Sequence, residues 1–248
     1  MPSEMVTVRS NQEVGEDVFE MRLPSSVPAK PGQFYMLRRE GSALLLPRAI
    51  SLCNQEEDTL TFLYKVVGEG TAELSNMKPG DKLRLTGPLG NGWPLEELSG
   101  KRVLLVGGGI GIAPLLLVAK ALRQQGNPAD CCLGFPHQPF YQEAFQPDCG
   151  ALSIATESGV AGHKGLVTQL FDPADYDAVL CCGPTPMMKA VVALCKAAGT
   201  PVWVSLENRM ACGVGACLVC TCSDHQGKNR RTCKDGPIFR GEEINFDA

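Results

Sequence analysis

Near the end of the chain, four cysteines carry the spacing with the most chemical content. Cys212, Cys217 and Cys220 stand as C-x4-C-x2-C, and Cys233 follows at a distance. This is the ligand spacing of a plant-type [2Fe–2S] cluster. Three thiolates from one tight loop converge on two irons, and a fourth thiolate completes the set. Gly213 and Gly215 let the backbone fold close to the cluster without side-chain clash, and amides in such a loop can point at the sulfurs and offset their charge. Two other readings use the same residues: a zinc site and a set of free thiols. Zinc ribbons pair one C-x2-C with another, and a single such pair occurs here. His137, His163 and His225 show no ligand spacing. Cys222 could compete for a ligand position, but the x4/x2 register makes it a bystander.

A second feature is glycine-rich. Val103-Leu-Leu-Val106 runs into Gly107-Gly-Gly-Ile-Gly111-Ile-Ala-Pro114, a loop between a strand-like and a helix-like run. Such a loop lets a phosphate approach free N–H groups at a helix N-terminus. It departs from G-x-G-x-x-G because position 112 is Ile, and a tight turn of purely structural purpose would read the same way. A second turn, Cys182-Gly183-Pro184, follows a later strand-like run; in a parallel sheet both turns would share the carboxyl edge, where ligands bind. After Cys131–Phe135 comes Pro136-His-Gln-Pro-Phe-Tyr141 without Arg or Lys. A ribose 2′-phosphate would call for a cation there, so the pattern leans toward NADH over NADPH.

Earlier in the chain, Arg48-Ala49-Ile50-Ser51 and Gly68-Glu-Gly70-Thr71 together offer a guanidinium, hydroxyls and backbone amides. These are groups able to hold a pyrophosphate. Read singly, an Arg and a Ser on one strand suit a solvated edge equally well.

These residues need elements to position them, and the 248 residues leave room for two modest domains. Residues 1–98 contain short β-rich runs (Met5-Val-Thr-Val, Val18–Leu23, Leu60–Val67) punctuated by Pro31-Gly32, Pro79-Gly80 and Asn91-Gly92, which predicts a small antiparallel β barrel. Residues 99–204 alternate strand-like runs (Val103–Val106, Cys131–Phe135, Leu152–Ala155, Ala178–Cys182, Val202–Val204) with helix-like ones. The clearest helices are Ala113–Gln125 and Pro186–Ala198, the latter closed by Gly199. That alternation predicts an α/β domain with a parallel sheet. Residues 205–248 are Cys-rich and too few for a core of their own, so a metal centre or packing on neighbours must hold them.

Composition sets outer bounds. Hydrophobic residues at 44% and charged residues at 20% are ordinary for a globular chain, and a net charge of −4 leaves no basic footprint for nucleic acid or an anionic membrane. Met1-Pro-Ser-Glu-Met-Val lacks the basic and apolar runs of a secretory signal. The uncharged stretch Val103–Ala119 is broken by four Gly and a Pro, which favours strand, turn and helix over a membrane span. The chain has twelve Cys; Cys131, Cys132, Cys181, Cys182 and Cys195 lie in apolar runs and read as small buried hydrophobes. A cytoplasmic protein is expected.

The ordered set Arg48–Ser51, Gly68–Thr71, Gly87-Pro-Leu-Gly-Asn-Gly92, Gly108–Pro114 and Cys182–Pro184 resembles the ferredoxin reductase superfamily. The tail from Ser205 to Cys220, with Arg231-Thr-Cys-Lys-Asp-Gly-Pro-Ile-Phe239, is similar to the electron-transfer subunits of class 1B, NAD-dependent dihydroorotate dehydrogenases. The resemblance covers essentially the whole chain. It implies an FAD-binding barrel, an NAD-binding α/β domain and a [2Fe–2S] module. Carried over by position, it implies FAD contacts at Arg48, Ala49, Ile50, Ser51, Lys65, Val66, Val67, Gly70 and Thr71. NAD(H) would face Gly108, Gly109, Gly111, Pro114, Cys182, Gly183 and Pro184, and iron would be bound by Cys212, Cys217, Cys220 and Cys233. Ala49 departs from the family, where Pro is common. The implied partner is an FMN-containing TIM-barrel catalytic subunit, two copies of each chain forming a heterotetramer in UMP biosynthesis.

The layout has a physical logic. NAD exchanges two electrons as a hydride, an iron–sulfur cluster moves them singly, and a flavin does both, so FAD belongs between them. No nucleophile–base pair stands out, which suits a subunit that moves electrons and leaves substrate oxidation to its partner. Two rivals fit the same residues. One is the small subunit of a sulfide dehydrogenase or of an NADH-dependent ferredoxin:NADP oxidoreductase, a group that usually replaces one cluster Cys with Asp. The other is a non-catalytic zinc-binding adaptor on a degenerate reductase fold.

Overall fold

A computed structural model describes residues 2–25 and 27–247. Among these residues the strands form two seven-stranded sheets and one small hairpin.

The first sheet comprises β1 (Ser3–Thr7), β2 (Ser10–Gly15), β3 (Val18–Pro24), β4 (Phe34–Arg39), β5 (Arg48–Glu56), β6 (Thr59–Lys65) and β7 (Lys82–Leu89), with the short helix α1 (Glu69–Ser75) between the last two. All its ladders are antiparallel, in the order β1-β7-β4-β5-β6-β3-β2. β1 and β2 lie at opposite edges yet are consecutive in the chain. The bend at Val8–Arg9, where Val8 N–H reaches Asp81 O and Arg9 N–H reaches Arg22 O, carries one strand from edge to edge and curls the sheet into a barrel. Inward positions alternate as a half-buried sheet requires: Met21 and Leu23, Leu83 and Leu85 join Tyr35, Leu37, Phe62 and Tyr64 in its core.

The second sheet is built from β8 (Val103–Gly108), α2 (Ala113–Gln124), β9 (Asp130–Phe135), β10 (Leu152–Thr156), β11 (His163–Lys164), β12 (Ala178–Cys182), α3 (Thr185–Ala198) and β13 (Val202–Ser205). Its order is β11-β10-β9-β8-β12-β13, all parallel. β8 and β12 are buried at every position, as expected of strands covered on both faces. The apolar stretch at 103–119 is therefore β8, a glycine turn and the first half of α2; among the described residues no helix is long and apolar enough to cross a membrane. Helix α3 ends where Gly199 takes the left-handed conformation (φ 73°), as its place after the last helical residue predicts.

The tail adds the hairpin β14 (Thr221–Ser223) and β15 (Asn229–Arg231), and then β16 (Ile238–Arg240), which pairs antiparallel with β13. Its apolar residues do not form a separate core. Phe239 and Ile244 pack with α3 and the second sheet, while Cys220 and Cys233 pack on Phe34, Met36 and Leu89 of the barrel. Asn91 ties the same return to the barrel: its side chain donates to Ile238 O at 2.9 Å and accepts from Ile238 N at 3.0 Å. The motif Gly87–Gly92 thus serves partly as a clamp on the tail.

Candidate functional site

The barrel and the second sheet meet across a cleft of about 570 Å³, within the usual range for a small-molecule site. Strand β5 supplies Arg48, Ala49, Ile50 and Ser51 to one wall; Lys65, Val67 and Thr71 come from the end of β6 and the start of α1; Pro114 comes from the first turn of α2. The family resemblance assigns the first seven to FAD and Pro114 to NAD(H). Gly70 lies against Arg48 just behind this wall. A Cβ at Gly70 would stand 1.5 Å from Arg48 Nε and 2.0 Å from Cζ, so only glycine leaves room for the guanidinium. Arg48 anchors itself by donating Nη1 to Leu46 O at 2.6 Å. This end of the cleft suits a pyrophosphate, and the apolar walls, with Phe34, Ile50 and Leu63, suit a flat ring system. The residues present fit FAD.

Two of the expected contacts have other tasks. The Thr71 hydroxyl accepts from Val67 N–H (2.9 Å) and Gly68 N–H (3.2 Å) and donates to Gly68 O, holding the turn into α1. Val66 does not line the cleft; its N–H donates to Asp17 O at 2.8 Å.

The two turns at the carboxyl edge of the parallel sheet touch each other. A Cβ on Gly111 would be 2.5 Å from Gly183 Cα and 2.6 Å from Cys182 O, and one on Gly108 would meet Met187 Sδ at 2.4 Å. Gly108, Gly111 and Gly183 are thus required by close packing of one turn on the other. Gly109, with φ 53° and nothing within 4 Å of a Cβ, faces open space. Gly108, Gly109, Gly111 and Cys182–Pro184 lie beside the cleft and do not line it, whereas Ile110 and Pro114 do. Tyr141, after β9, turns to the barrel and donates to the buried carboxylate of Glu20, so part of that uncharged segment holds the domains together.

The far wall is the segment Leu206–Met210 between β13 and the cysteine loop, which sequence reasoning missed. Its one local signal is position: it must bridge the sheet edge and Cys212. Glu207 lines the cleft with an exposed side chain, and desolvation of its carboxyl there raises it above the usual range. Asn208 lines the cleft and donates to Cys220 O (3.3 Å) and Thr232 Oγ1 (2.9 Å). Phe34 and Met210 touch both the cleft and the packing around Cys220 and Cys233. Cleft and cysteine loop share a wall.

Within that loop, Gly213 and Gly215 adopt φ 71° and 80°, where a side chain would be strained. The turn aims amides at sulfur: Val214 and Ala216 N–H donate to Cys212 Sγ at 3.4 and 3.3 Å, Gly215 N–H to Cys233 Sγ at 3.0 Å, and Cys233 N–H to Cys220 Sγ at 3.4 Å. Burial alone would raise the Cys212 thiol, but hydrogen bonds from the Val214, Cys217 and Ala216 backbone and from the Cys217 side chain outweigh it and bring it down to about 6. The thiols fall into two neighbouring pairs, Cys212 with Cys217 and Cys220 with Cys233. Two pairs are what two irons need, each taking two protein thiolates. Among the described residues no three His, Cys, Asp or Glu side chains converge as they would on one ion. The donor set fits a [2Fe–2S] cluster. Cys222 points elsewhere: its sulfur meets Arg230 O and Thr232 Oγ1, and it packs toward Phe239 and Ile244.

Residues 207–245 match the family described as the iron-sulfur cluster binding domain of dihydroorotate dehydrogenase B. The chain is 43% identical over 237 residues to the electron transfer subunit of dihydroorotate dehydrogenase B (NAD(+)) from Clostridium acetobutylicum, covering 96% of this chain and 95% of that protein. It is 44% identical over 245 residues to the subunit of the same name from Caldanaerobacter subterraneus, covering 96% and 97%. Among solved structures, one of an NADH-dependent reduced ferredoxin-NADP oxidoreductase superposes with a TM-score of 0.86 at 33% identity, covering 98% of this chain and 90% of that one. A ferredoxin reductase of carbazole 1,9a-dioxygenase shares the fold, with a TM-score of 0.68 at 24% identity over 81% of this chain and 67% of that one.

Proposed function

The chain belongs to the family of electron-transfer subunits of NAD-dependent dihydroorotate dehydrogenase B, and from that membership we propose that it relays electrons between a catalytic partner subunit and NAD through a [2Fe–2S] cluster and FAD, in pyrimidine synthesis. Bound FAD supplies the exchange between single electrons and a hydride, which neither a cluster nor a nicotinamide performs alone. The observation that carries this reading is the shared wall: Phe34, Asn208 and Met210 line the cleft and also touch the cysteine loop.

In this reading Cys212 and Cys217 hold one iron, and Cys220 and Cys233 the other. Arg48, given room by Gly70, would hold the pyrophosphate. Ala49, Ile50 and Ser51, with Lys65 and Val67, would contact the flavin from the walls they contribute to the cleft. The turns at Gly108–Pro114 and Cys182–Pro184 stand at the carboxyl edge for the nicotinamide nucleotide. Water is excluded from the relay by the apolar packing of Phe34, Met36 and Leu89 on the buried Cys220 and Cys233. Substrate oxidation falls to the partner, an FMN-containing catalytic subunit, in an assembly of two copies of each chain. The exposed Cys217 is flanked by exposed Val214, Leu218 and Val219, an apolar rim suited to that contact.

Co-expression with a candidate FMN subunit tests the whole scheme: dihydroorotate-driven NAD reduction should appear only with both chains present. Protein isolated without air should carry FAD near one to one and give a rhombic [2Fe–2S] EPR signal after dithionite. Colourless material without iron or flavin sinks the proposal. A second reading, as the small subunit of an NADH-dependent ferredoxin-NADP oxidoreductase, has the 0.86 superposition in its favour; the identity of the co-purifying partner decides between them.

A further inference from the structure

Arg231 stands behind the cysteine loop, and its hydrogen bonds form one directed chain. Nε and Nη2 lie 3.1 and 3.0 Å from the two oxygens of the Asp235 carboxylate, a paired fork that fixes the guanidinium plane. The Arg231 backbone N–H donates to the same carboxylate at 2.8 Å. The remaining arm, Nη1, crosses the loop to the Gly215 carbonyl at 3.4 Å. That carbonyl shares its peptide unit with the N–H of Ala216, which donates to Cys212 Sγ at 3.3 Å. A cation at the oxygen end of a peptide polarises it and strengthens the donor at the other end.

We propose that Arg231 is a positioning residue for the cluster: acting through the Gly215–Ala216 peptide, it strengthens the N–H···S bond on Cys212 and thereby raises the cluster's reduction potential. The inference rests on the ligand set proposed above. Its direction follows from charge. Reduction adds an electron that the sulfurs share, so an amide donor stabilises the reduced cluster more than the oxidised one. A purely Coulombic role is the competing account, since any cation near the loop acts in the same direction. Lys234, whose stem packs on Gly215, offers another. But the Arg231 side chain is 32% exposed, and water screens a charge placed there. A directed hydrogen bond at contact distance is screened far less than a charge acting through solvent. At the end of β15, Arg231 is braced at both its backbone and its fork, the arrangement of a group held in one orientation rather than a loose surface charge.

Arg231→Lys separates the two accounts, because it keeps the charge and loses the fork. Full-length wild type, Arg231→Lys and Arg231→Gln would be purified without air, their clusters counted by EPR spin integration, and their midpoints found by EPR-monitored redox titration. At the poise where the wild-type cluster is half reduced, the reduced-to-oxidised ratio should fall at least threefold in the Lys variant, a shift of about 28 mV by the one-electron relation of 59 mV per decade. The Gln variant should fall at least as far. Resonance Raman of the oxidised proteins should show a smaller deuterium-sensitive shift of the Fe–S(Cys) bands in both. A Lys variant that titrates with wild type overturns the inference, whatever Gln does, and it decides the matter alone should the Gln chain fail to assemble its cluster. Absence of any [2Fe–2S] signal in the wild type is a different failure, that of the ligand reading itself.

Discussion

Gly70→Ala isolates the flavin cradle from the fold. The new Cβ would sit 1.5, 2.0 and 2.1 Å from Nε, Cζ and Nη2 of Arg48, against an ordinary contact of 3.4 Å or more, so the guanidinium must move aside by well over an ångström. The atoms in the way belong to a flexible side chain, and helix α1 accepts alanine at this position without left-handed strain, since Gly70 is absent from the positive-φ glycines. Stability should therefore hold or rise by about 0.5 kcal/mol, the usual gain of alanine over glycine in a helix. Flavin binding should move the other way. One charge-assisted hydrogen bond to the pyrophosphate is worth about 1.5–3 kcal/mol, which corresponds to roughly 10- to 150-fold weaker FAD binding. The assay is titration of apoprotein with FAD by flavin fluorescence, beside thermal melts of the same samples. Arg48→Ala should lose a similar factor, and the double variant should lose little more, because both changes remove one interaction. Wild-type FAD affinity in Gly70→Ala would refute the assignment of Arg48; a fall in melting temperature without FAD present would refute the claim that the site is separable from the fold.

Other outcomes follow from the same geometry. Gly111→Ala pushes a methyl into the backbone of Cys182 and Gly183, which cannot swing away; overpacking of this kind costs about 1–3 kcal/mol, or roughly 2–12 °C in melting temperature for a chain of this size, whereas wild-type melting would show the two turns to be loosely packed. Asp58 is held down to about 2, first by the side-chain hydrogen bond from Arg9, so its contribution to stability is complete above the ordinary carboxylate pKa of about 3.9 and is lost as pH falls toward 2. Melting curves of Asp58→Asn and wild type should accordingly differ at neutral pH and converge by about pH 2. Cys222→Ser should keep the full EPR signal with a stability change of about 1 kcal/mol, while Cys217→Ser should abolish the signal and leave FAD bound; loss of the signal in Cys222→Ser would reassign the ligands.

Much of the chemistry was legible because it is local in the chain. The x4/x2 spacing places three thiolates on one loop whatever surrounds it, and the alternation of apolar strands with amphipathic helices reports a parallel sheet from nearest-neighbour periodicity. The helix end at Gly199 is equally local. What escaped depends on residues far apart in sequence. Leu206–Met210 carries no pattern of its own and becomes a wall of the cleft only because β16 returns to β13 and Asn91 clamps that return to the barrel. The glycines of the two turns admit both a phosphate-binding and a packing explanation on paper; the approach of Gly111 to Gly183 supplies the packing reason. Residue types and spacing determined by themselves which groups could bind iron; for flavin they offered only groups able to hold a pyrophosphate, and the FAD assignment came from the family resemblance. That cleft and cluster share Phe34, Asn208 and Met210 was decided by tertiary structure alone, because side chains from the barrel, the sheet edge and the tail meet there only once all three are packed, and no periodicity in the chain records that meeting.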